Sequence, residues 1–266
     1  GMYVMDEAFD GWYTPKTYHD YSRIFESAWR EDLSAMIQKD YNHPSVVLYS
    51  IGNEVTETAC EQGVQTAEQM TALAHTLDNT RPVTAGINVL LNVYNQKGIG
   101  VYKETESYKP EPLPPKKQEE KKKESGSAFF NMVMQHLGPL MFYMSKGKKG
   151  DAACRAVAEK LDILGLNYAA SRYEEDCLTY PNRIMVGSET IIGELPYNWE
   201  QVKKHPAVIG DFAWAAIDYL GEAGIGQMIP QDTPGLPIAA GSGAIDLTGN
   251  ITAEAYFQQT VWGLRK

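Results

Sequence analysis

The stretch that decides the fold reads Asn42-His43-Pro44-Ser45-Val46-Val47-Leu48-Tyr49-Ser50-Ile51-Gly52-Asn53-Glu54-Val55. Its middle is a short apolar run, which is typical of a strand buried on both faces of a parallel sheet. The run ends abruptly at Glu54. A charged side chain at the carboxyl end of a buried strand adds little to packing, but in an α/β barrel that end is where reactive side chains lie. The stretch therefore predicts a barrel strand that presents Glu54 to a site.

A second stretch later in the chain has the same design. It reads Arg183-Ile184-Met185-Val186-Gly187-Ser188-Glu189-Thr190, and it too is an apolar run that ends in a glutamate. The carboxyl ends of parallel strands meet at one edge of a barrel, so the two glutamates are expected to face each other. A pair of facing carboxylates is typical of sites that cleave glycosidic bonds.

Helical and strand patterns alternate along the rest of the chain, which predicts βα units and a parallel sheet. Strands are predicted at residues 2–5, 46–51, 82–86, 163–166, 184–187 and 207–213. Helices are predicted at residues 18–39, 65–77, 152–160, 199–204 and 253–262. A closed (β/α)8 TIM barrel has eight strands. Six strands therefore predict an incomplete barrel of this α/β class, formed by a single domain over residues 1–266.

The alternation is interrupted between residues 88 and 151, which are predicted to form an insertion after the third strand. Its middle, residues 109–127, mixes Lys, Glu, Pro and Ser. Such a segment has too few apolar side chains to bury, so a mobile charged loop is expected. A nucleic-acid patch is the alternative, but the interleaved glutamates disfavour it. Residues 129–144 are rich in Met and Phe and predict a helix packed beside the barrel.

Composition narrows the class of function. The chain has 266 residues, is 43% hydrophobic and carries a formal net charge of -10. This charge disfavours nucleic acid as a partner, because phosphate groups favour basic surfaces. The cysteines Cys60, Cys154 and Cys177 show no CxxC spacing and predict free, buried thiols. No apolar run approaches the length of a membrane span. A soluble protein is expected, with its compartment left open between a bacterial-type cytoplasm and periplasm.

Together these segments resemble glycoside hydrolase family 2, the family of β-galactosidases, β-glucuronidases and β-mannosidases. Residues 42–54 are similar to the acid/base strand of that family, and residues 187–189 to its nucleophile strand. Residues 5–9, 81–84 and 165–168 resemble the third, fifth and sixth barrel strands. Residues 210–222 resemble the eighth, in the form that β-galactosidases show. The resemblance covers nearly the whole chain but begins at the third strand, which implies a fragment without the first two strands.

The resemblance implies a retaining double displacement by two carboxylates. Glu189 would be the nucleophile, and Glu54 would serve as general acid and then as general base. This mechanism requires the carboxyl groups to lie about 5–5.5 Å apart. It also requires an acid that holds its proton and a nucleophile that is ionised.

The resemblance also implies sugar-binding residues beside the pair. The Asn53 amide would bind the sugar 2-hydroxyl, the Tyr168 hydroxyl would contact the nucleophile, and the Trp214 indole would form the floor of the sugar subsite. The structural alternatives are an ordinary turn at Asn53 and packed aromatic side chains at the other two. The set of candidate binding residues is completed by Asp6, Asn167 and Asp218. The two aspartates could instead cap helices.

No cofactor and no metal are expected. Glu7, Asp10 and Glu57 could bind a divalent cation together with Glu54, as some family members do. The histidine-containing ligand motif of those members has no match after Phe9, so solvated side chains are the favoured interpretation.

These patterns predict a retaining β-glycosidase that hydrolyses terminal β-linked sugars, with β-galactosides favoured. The expected partner is therefore a carbohydrate substrate. The alternative is a catalytically silent barrel fragment that acts only as a scaffold or a sugar-binding piece. Unpaired strands at the edges of an incomplete barrel are a liability, so a homo-oligomer that covers them is also considered.

Overall fold

The computed structural model describes residues 2–16, 20–98, 145–219, 239 and 241–264. The predicted charged loop at residues 109–127 and the predicted helix at residues 129–144 lie outside the described residues.

Six strands form one sheet, and all neighbouring strands are parallel. In chain order they are β1 (Val4–Glu7), β2 (Val46–Asn53), β3 (Val83–Ile87), β4 (Ile163–Asn167), β5 (Ile184–Ile191) and β6 (Val208–Trp214). Their order in the sheet is their order in the chain. All six predicted strands are confirmed. All six extend farther toward their carboxyl ends than predicted. In β1, β2, β4 and β5 the added residues include polar ones, which join the ladder although they interrupt the apolar pattern.

Seven α-helices surround the described sheet. They are α1 (Ser22–Asp40), α2 (Glu61–Leu77), α3 (Val89–Gln96), α4 (Lys148–Ala158), α5 (Tyr173–Thr179), α6 (Leu195–Lys204) and α7 (Ala253–Val261). The sequence analysis missed α3 and α5. Helix α3 begins inside the predicted insertion and packs against α4. The two ends of the segment 88–151 therefore belong to ordered barrel helices, while residues 99–144 lie outside the described part of the chain.

The sheet buries apolar side chains on both faces. On the outer face, Tyr49 and Ile51 of β2 pack with Phe25, Leu33 and Ile37 of α1 in the main core. On the inner face, a smaller cluster is formed by Leu48, Ile163 and Val186, with Met5 and Val47 against it. Side chains alternate between the faces of a strand. On the inner face of the sheet, apolar side chains therefore lie in the body of the strands and polar side chains lie at their carboxyl ends.

The curled sheet is an incomplete TIM barrel, which confirms the predicted fold class. Among the described strands, β1 pairs only with β2, and β6 pairs only with β5. All three cysteines are free thiols. Cys154 is buried as predicted, whereas Cys60 is exposed and Cys177 is partly buried. Within the described residues, no helix combines the length and the apolar character needed to cross a bilayer.

Candidate active site

The two predicted glutamates lie at the same edge of the sheet. Glu54 directly follows the last residue of β2, and Glu189 lies in the last part of β5. Both strands run in the same direction. Their carboxyl ends therefore meet at the rim, where barrels of this class carry reactive groups.

One amide group joins the two carboxylates. The Nδ2 atom of Asn167, the last residue of β4, lies 3.1 Å from Glu189 Oε2 and 3.3 Å from Glu54 Oε1. The same nitrogen also donates to Asn53 Oδ1 at 2.8 Å. Asn167 is buried, and its Oδ1 accepts a hydrogen bond from the Ser188 hydroxyl at 2.6 Å. The orientation of the amide is therefore fixed, with its nitrogen toward both glutamates.

Tyr168 holds Glu189 from a second side. Its hydroxyl donates a hydrogen bond to Glu189 Oε1. Its main-chain N–H donates to the carbonyl oxygen of the same glutamate at 2.9 Å. Burial and the charge of Glu189 both raise the pKa of Tyr168. The tyrosine therefore stays protonated and acts as a donor to the carboxylate.

Burial and neighbouring charges raise the pKa of Glu189. Burial raises the pKa of Glu189 to about 8, and the charges of Glu54 and Glu7 add to this rise. The hydrogen bond from Tyr168 and the charge of Lys16 oppose it. The carboxyl group of Glu189 therefore holds a proton near neutral pH. This differs from the expectation of a nucleophile that is ionised in the resting protein, because burial and the neighbouring charge act on Glu189.

Glu54 is held by its own neighbours on β3 and α3. Its main-chain N–H donates to the Gly86 carbonyl oxygen at 2.8 Å. Its Oε1 atom accepts a hydrogen bond from Asn88 Nδ2 at 2.8 Å. Asn88 is buried and is the N-cap residue of α3. The side chain of Glu54 is therefore fixed by asparagines on two sides.

Backbone strain is concentrated at this rim. Among the described residues, the only non-glycine residues with positive φ are Phe9 at 73°, Glu54 at 48° and Tyr168 at 55°. Each follows the carboxyl end of a strand by one or two residues. Such conformations cost energy and persist where the surrounding structure holds them, most often at functional sites.

A second polar cluster adjoins the pair. Asn53 Nδ2 donates to Asp10 Oδ1 at 3.1 Å, and Lys16 Nζ lies 2.9 Å from the same oxygen. The lysine also donates to the Asn53 carbonyl oxygen at 2.8 Å. Farther down the inner face, the Ser50 hydroxyl donates to Glu7 Oε2 at 2.6 Å. These contacts add the Lys16 ammonium group and the carboxylates of Asp10 and Glu7 to the site.

Trp214, the last residue of β6, packs against Tyr219. The two rings are stacked with centroids 5.8 Å apart, and the indole N–H donates to the Tyr219 hydroxyl at 3.0 Å. Tyr219 is also among the groups that act electrostatically on Tyr168. The indole is thus half-buried at the site side of β6, with its single donor already used.

The structure does not bring Asp6 to the glutamate pair. Its Oδ2 lies 3.0 Å from Lys39 Nζ, and it also interacts with Asp40. Side chains alternate along a strand. Glu7 faces the Ser50 hydroxyl on the inner side, so Asp6 faces outward. Sugar binding by Asp6 stays a prediction.

Asp218 binds main chain instead of lying free for a ligand. Its carboxylate accepts hydrogen bonds from the N–H groups of Tyr219, Gly241 and Ser242, at 2.9 to 3.1 Å. These bonds join two loop segments that are distant in sequence. These contacts hold loop main chain and do not cap a helix, and sugar binding by Asp218 stays a prediction.

The residues considered for a cation have other partners. Glu57 is buried and accepts hydrogen bonds from the Thr14 main chain and the Thr56 hydroxyl. In the part of the chain that the structure describes, no group of three or more His, Cys, Asp or Glu side chains is arranged to hold a metal ion.

The sequence analysis missed three residues of the site. Asn88 lies between the third apolar strand and the apolar run Val89-Leu90-Leu91, and this pattern predicts a helix N-cap. Ser188 stands beside the predicted nucleophile but was not given a role. Lys16 lies in an irregular loop, and nothing in the local pattern predicts its position.

Known proteins resemble this chain in sequence and in fold. Residues 1–127 match the family model of the TIM barrel domain of glycosyl hydrolases family 2. The β-galactosidase BoGH2A of Bacteroides ovatus is 36% identical over a match that covers 33% of this chain and 14% of that protein. A putative β-glucuronidase of Formosa agariphila is 27% identical over 98% of this chain and 24% of that protein.

The fold is similar to a solved member of the same family. A glycosyl hydrolase family 2 member from Bacteroides cellulosilyticus superposes with a TM-score of 0.70 at 31% identity, covering 98% of this chain and 26% of that protein. The chain thus spans at most about a quarter of the length of these relatives. The rim geometry and these similarities agree: residues 1–127 match the TIM barrel domain of glycosyl hydrolases family 2, and the described fold is similar to part of the barrel of a solved member of that family.

Proposed function

We propose that this chain carries the catalytic pair of a retaining β-glycosidase, which hydrolyses terminal β-linked sugars without a cofactor. Glu189 is the nucleophile and Glu54 the general acid and base. The observation that carries the proposal is the contact of both carboxylates with the single Nδ2 atom of Asn167. The two oxygens can be no farther apart than the sum of 3.3 Å and 3.1 Å. That limit is compatible with the separation of about 5–5.5 Å in retaining enzymes.

In the first step, the Glu189 carboxylate attacks the anomeric carbon as the bond to the leaving oxygen breaks. Glu54 gives its proton to that oxygen, so the alcohol leaves neutral and a glycosyl ester of Glu189 remains. Both oxygens of Glu189 already accept hydrogen bonds, from Tyr168 and Asn167. Both donors stabilise the charged form of Glu189, which is the form that attacks.

In the second step, Glu54 acts as a base. It takes a proton from a water molecule, whose oxygen attacks the anomeric carbon and breaks the ester bond to Glu189. The sugar leaves with its original configuration, and Glu54 is protonated again. Asn167 Nδ2 contacts both carboxylates, so it can donate a hydrogen bond to whichever of them carries the negative charge in each step.

The sugar-binding wall is proposed to contain Asn53, Asn167, Tyr168 and Trp214. The amide of Asn53 would contact the sugar 2-hydroxyl, and Trp214 would present its flat face to the sugar ring. β-Galactosides are the favoured substrates, since a β-galactosidase is among the relatives above 30% identity. A β-glucuronide is the second candidate, since the relative matched over 98% of the chain has that description.

One observation favours the alternative of a silent fragment. The described strands β1 and β6 each have one neighbour, so no described strand closes the sheet between them. Catalysis depends on positioning, and a displacement of about 1 Å can reduce a rate roughly 100-fold. Sugar binding without turnover is the function expected if an unclosed sheet prevents correct positioning of the substrate.

An assay with aryl β-galactosides, β-glucuronides and β-mannosides separates these functions. The proposal predicts hydrolysis of one class by the wild-type chain and loss of that activity in Glu189→Gln and Glu54→Gln. Lys204→Gln is the matched control, because Lys204 pairs with Glu174 at the exposed end of α6. No hydrolysis of any class, with saturable binding of a sugar, would support the silent fragment. Activity retained in Glu189→Gln would contradict the assignment.

A further inference from the structure

Asn88, the buried N-cap residue of α3, contacts Glu54, the proposed general acid. Asn88 is 2% exposed and caps α3, since its Oδ1 accepts hydrogen bonds from the N–H groups of Leu90 at 3.1 Å and Leu91 at 3.3 Å. An amide oxygen accepts and the amide nitrogen donates. Because the helix fixes Oδ1, the opposite side of the amide can only present N–H groups. That side faces Glu54, with Nδ2 at 2.8 Å from Oε1.

The position of this donor decides which oxygen of Glu54 can carry a proton. Oε1 accepts N–H groups from Asn88 at 2.8 Å and from Asn167 at 3.3 Å. An oxygen that already accepts two donors is a poor place for a proton, because the added O–H would meet their hydrogens. The proton of the acid form therefore belongs on Oε2, the oxygen that these two asparagines do not contact.

We infer that Asn88 is a positioning residue, which holds the Glu54 carboxyl group so that Oε2 carries the transferable proton toward the leaving group. This inference rests on the proposed function of Glu54 as general acid. The helix cap and the contact with Glu54 use opposite atoms of one side chain. Because α3 fixes the Asn88 side chain, the start of that helix determines the orientation of the Glu54 carboxyl group.

The test compares substrates that differ in their need for a proton. Phenyl glycosides have a poor leaving group and need an acid, whereas 2,4-dinitrophenyl glycosides leave without one. Asn88→Ser keeps a good helix cap but cannot reach Glu54 with a donor. We expect kcat/KM for the phenyl substrate to fall about 10-fold to 100-fold, and that for the dinitrophenyl substrate to fall less than about 2-fold.

Asn92→Ser is the matched control. Asn92 lies one turn later in the same helix, is equally buried, and its amide binds the Ala153 carbonyl oxygen and the Thr58 hydroxyl. Asn92→Ser should lower kcat/KM for both substrates by the same factor. If Asn88→Ser also reduces both equally, Asn88 is only structural and the inference is overturned. Asn88→Asp keeps both the cap and the size, so it replaces Asn88→Ser if that variant does not fold.

A second readout does not depend on turnover. In crystal structures, the wild-type Glu54 carboxyl group should occupy one rotamer beside Asn88, and in Asn88→Ser it should move or occupy several. An unchanged single rotamer in Asn88→Ser overturns the inference. If the wild-type chain cleaves no glycoside while this rotamer change is seen, the proposed function fails but the positioning role of Asn88 stands.

Discussion

Tyr168 and Glu189 are joined by two hydrogen bonds, one between side chains and one between main chains. The side-chain bond places the neutral Tyr168 hydroxyl against Oε1 of Glu189, the proposed nucleophile. A hydrogen bond to a charged group contributes about 1.5–3 kcal/mol. The backbone of Tyr168 is left-handed, with φ at 55°.

Tyr168→Phe should therefore lower kcat/KM about 10-fold to 100-fold. The variant leaves the ring in place but removes the donor that stabilises the ionised nucleophile. The measurement is steady-state hydrolysis of the aryl glycoside that the wild-type chain cleaves best. Tyr180→Phe is the control, since its hydroxyl binds Asp151 at 2.7 Å, outside the glutamate cluster. Equal losses in the two variants would contradict a role for Tyr168 at the nucleophile.

The raised pKa of Glu189 predicts how stability depends on pH. Burial raises that pKa from 4.5 to about 8 in the folded chain. Between these values the folded chain keeps a proton that the unfolded chain releases, so stability falls as pH rises from about 4.5 to about 8. The slope from one such group is at most about 1.4 kcal/mol per pH unit.

Glu189→Gln should flatten this dependence and be more stable than the wild type at pH 8. The measurement is the free energy of unfolding in urea at several pH values. Asp211→Asn is a useful comparison, because burial raises the pKa of Asp211 from 3.8 to about 6. That variant should flatten the dependence below pH 6 only. An unchanged slope between pH 6 and 8 in Glu189→Gln would contradict the assigned pKa.

Gly86 is predicted to be essential for the asparagine pair. A Cβ atom there would lie 2.9 Å from Asn167 Oδ1 and 3.2 Å from Asn53 Oδ1. Gly86→Ala should therefore displace the amide that joins the carboxylates and lower kcat by about 100-fold, the order of loss expected for a displacement near 1 Å. Gly210→Ala on β6 is the control, since nothing lies within 4 Å of its added Cβ. Full activity in Gly86→Ala would show that the asparagine contacts are dispensable.

The open edges of the sheet predict self-association. Met2 and Tyr3, next to β1, are 77% and 80% exposed, and Ile209 on β6 is 50% exposed. Unpaired edge strands with apolar side chains readily pair with other chains. Light scattering after size exclusion should therefore detect a dimer or larger assembly of the wild-type chain.

Ile209→Lys should reduce that assembly, because a lysine at an edge opposes pairing. Leu178→Lys is the control, since Leu178 is 79% exposed on α5, outside the two edge strands. A monodisperse wild-type monomer would contradict the prediction.

The strand pattern was sufficient to predict both glutamates at one rim. Each follows a long apolar run, and the parallel order of the sheet then brings the run ends together. The pattern could not assign the faces of β1, because only four residues form that strand and two acidic residues end it. Asp6 was therefore chosen where Glu7 lies on the inner face.

Contacts between distant segments could not be predicted. Asp218 binds the N–H groups of Gly241 and Ser242, which follow it by more than twenty residues. Lys16 reaches Asn53 from an irregular loop whose path no local pattern determines. The cap at Asn88 is a local feature, and an asparagine between a strand and an apolar helix start is a recognisable signal for it. Its contact with Glu54 has no such signal.

The central claim is that Glu189 forms a covalent bond with the sugar. The direct measurement is mass spectrometry of peptides after incubation with a 2-deoxy-2-fluoro aryl glycoside, whose fluorine slows the release of the glycosyl ester. The account predicts one added sugar, on the peptide that contains Glu189, and none in Glu189→Gln. A label on Glu54 or on any other carboxylate, or no label in a chain that hydrolyses the parent glycoside, would contradict it.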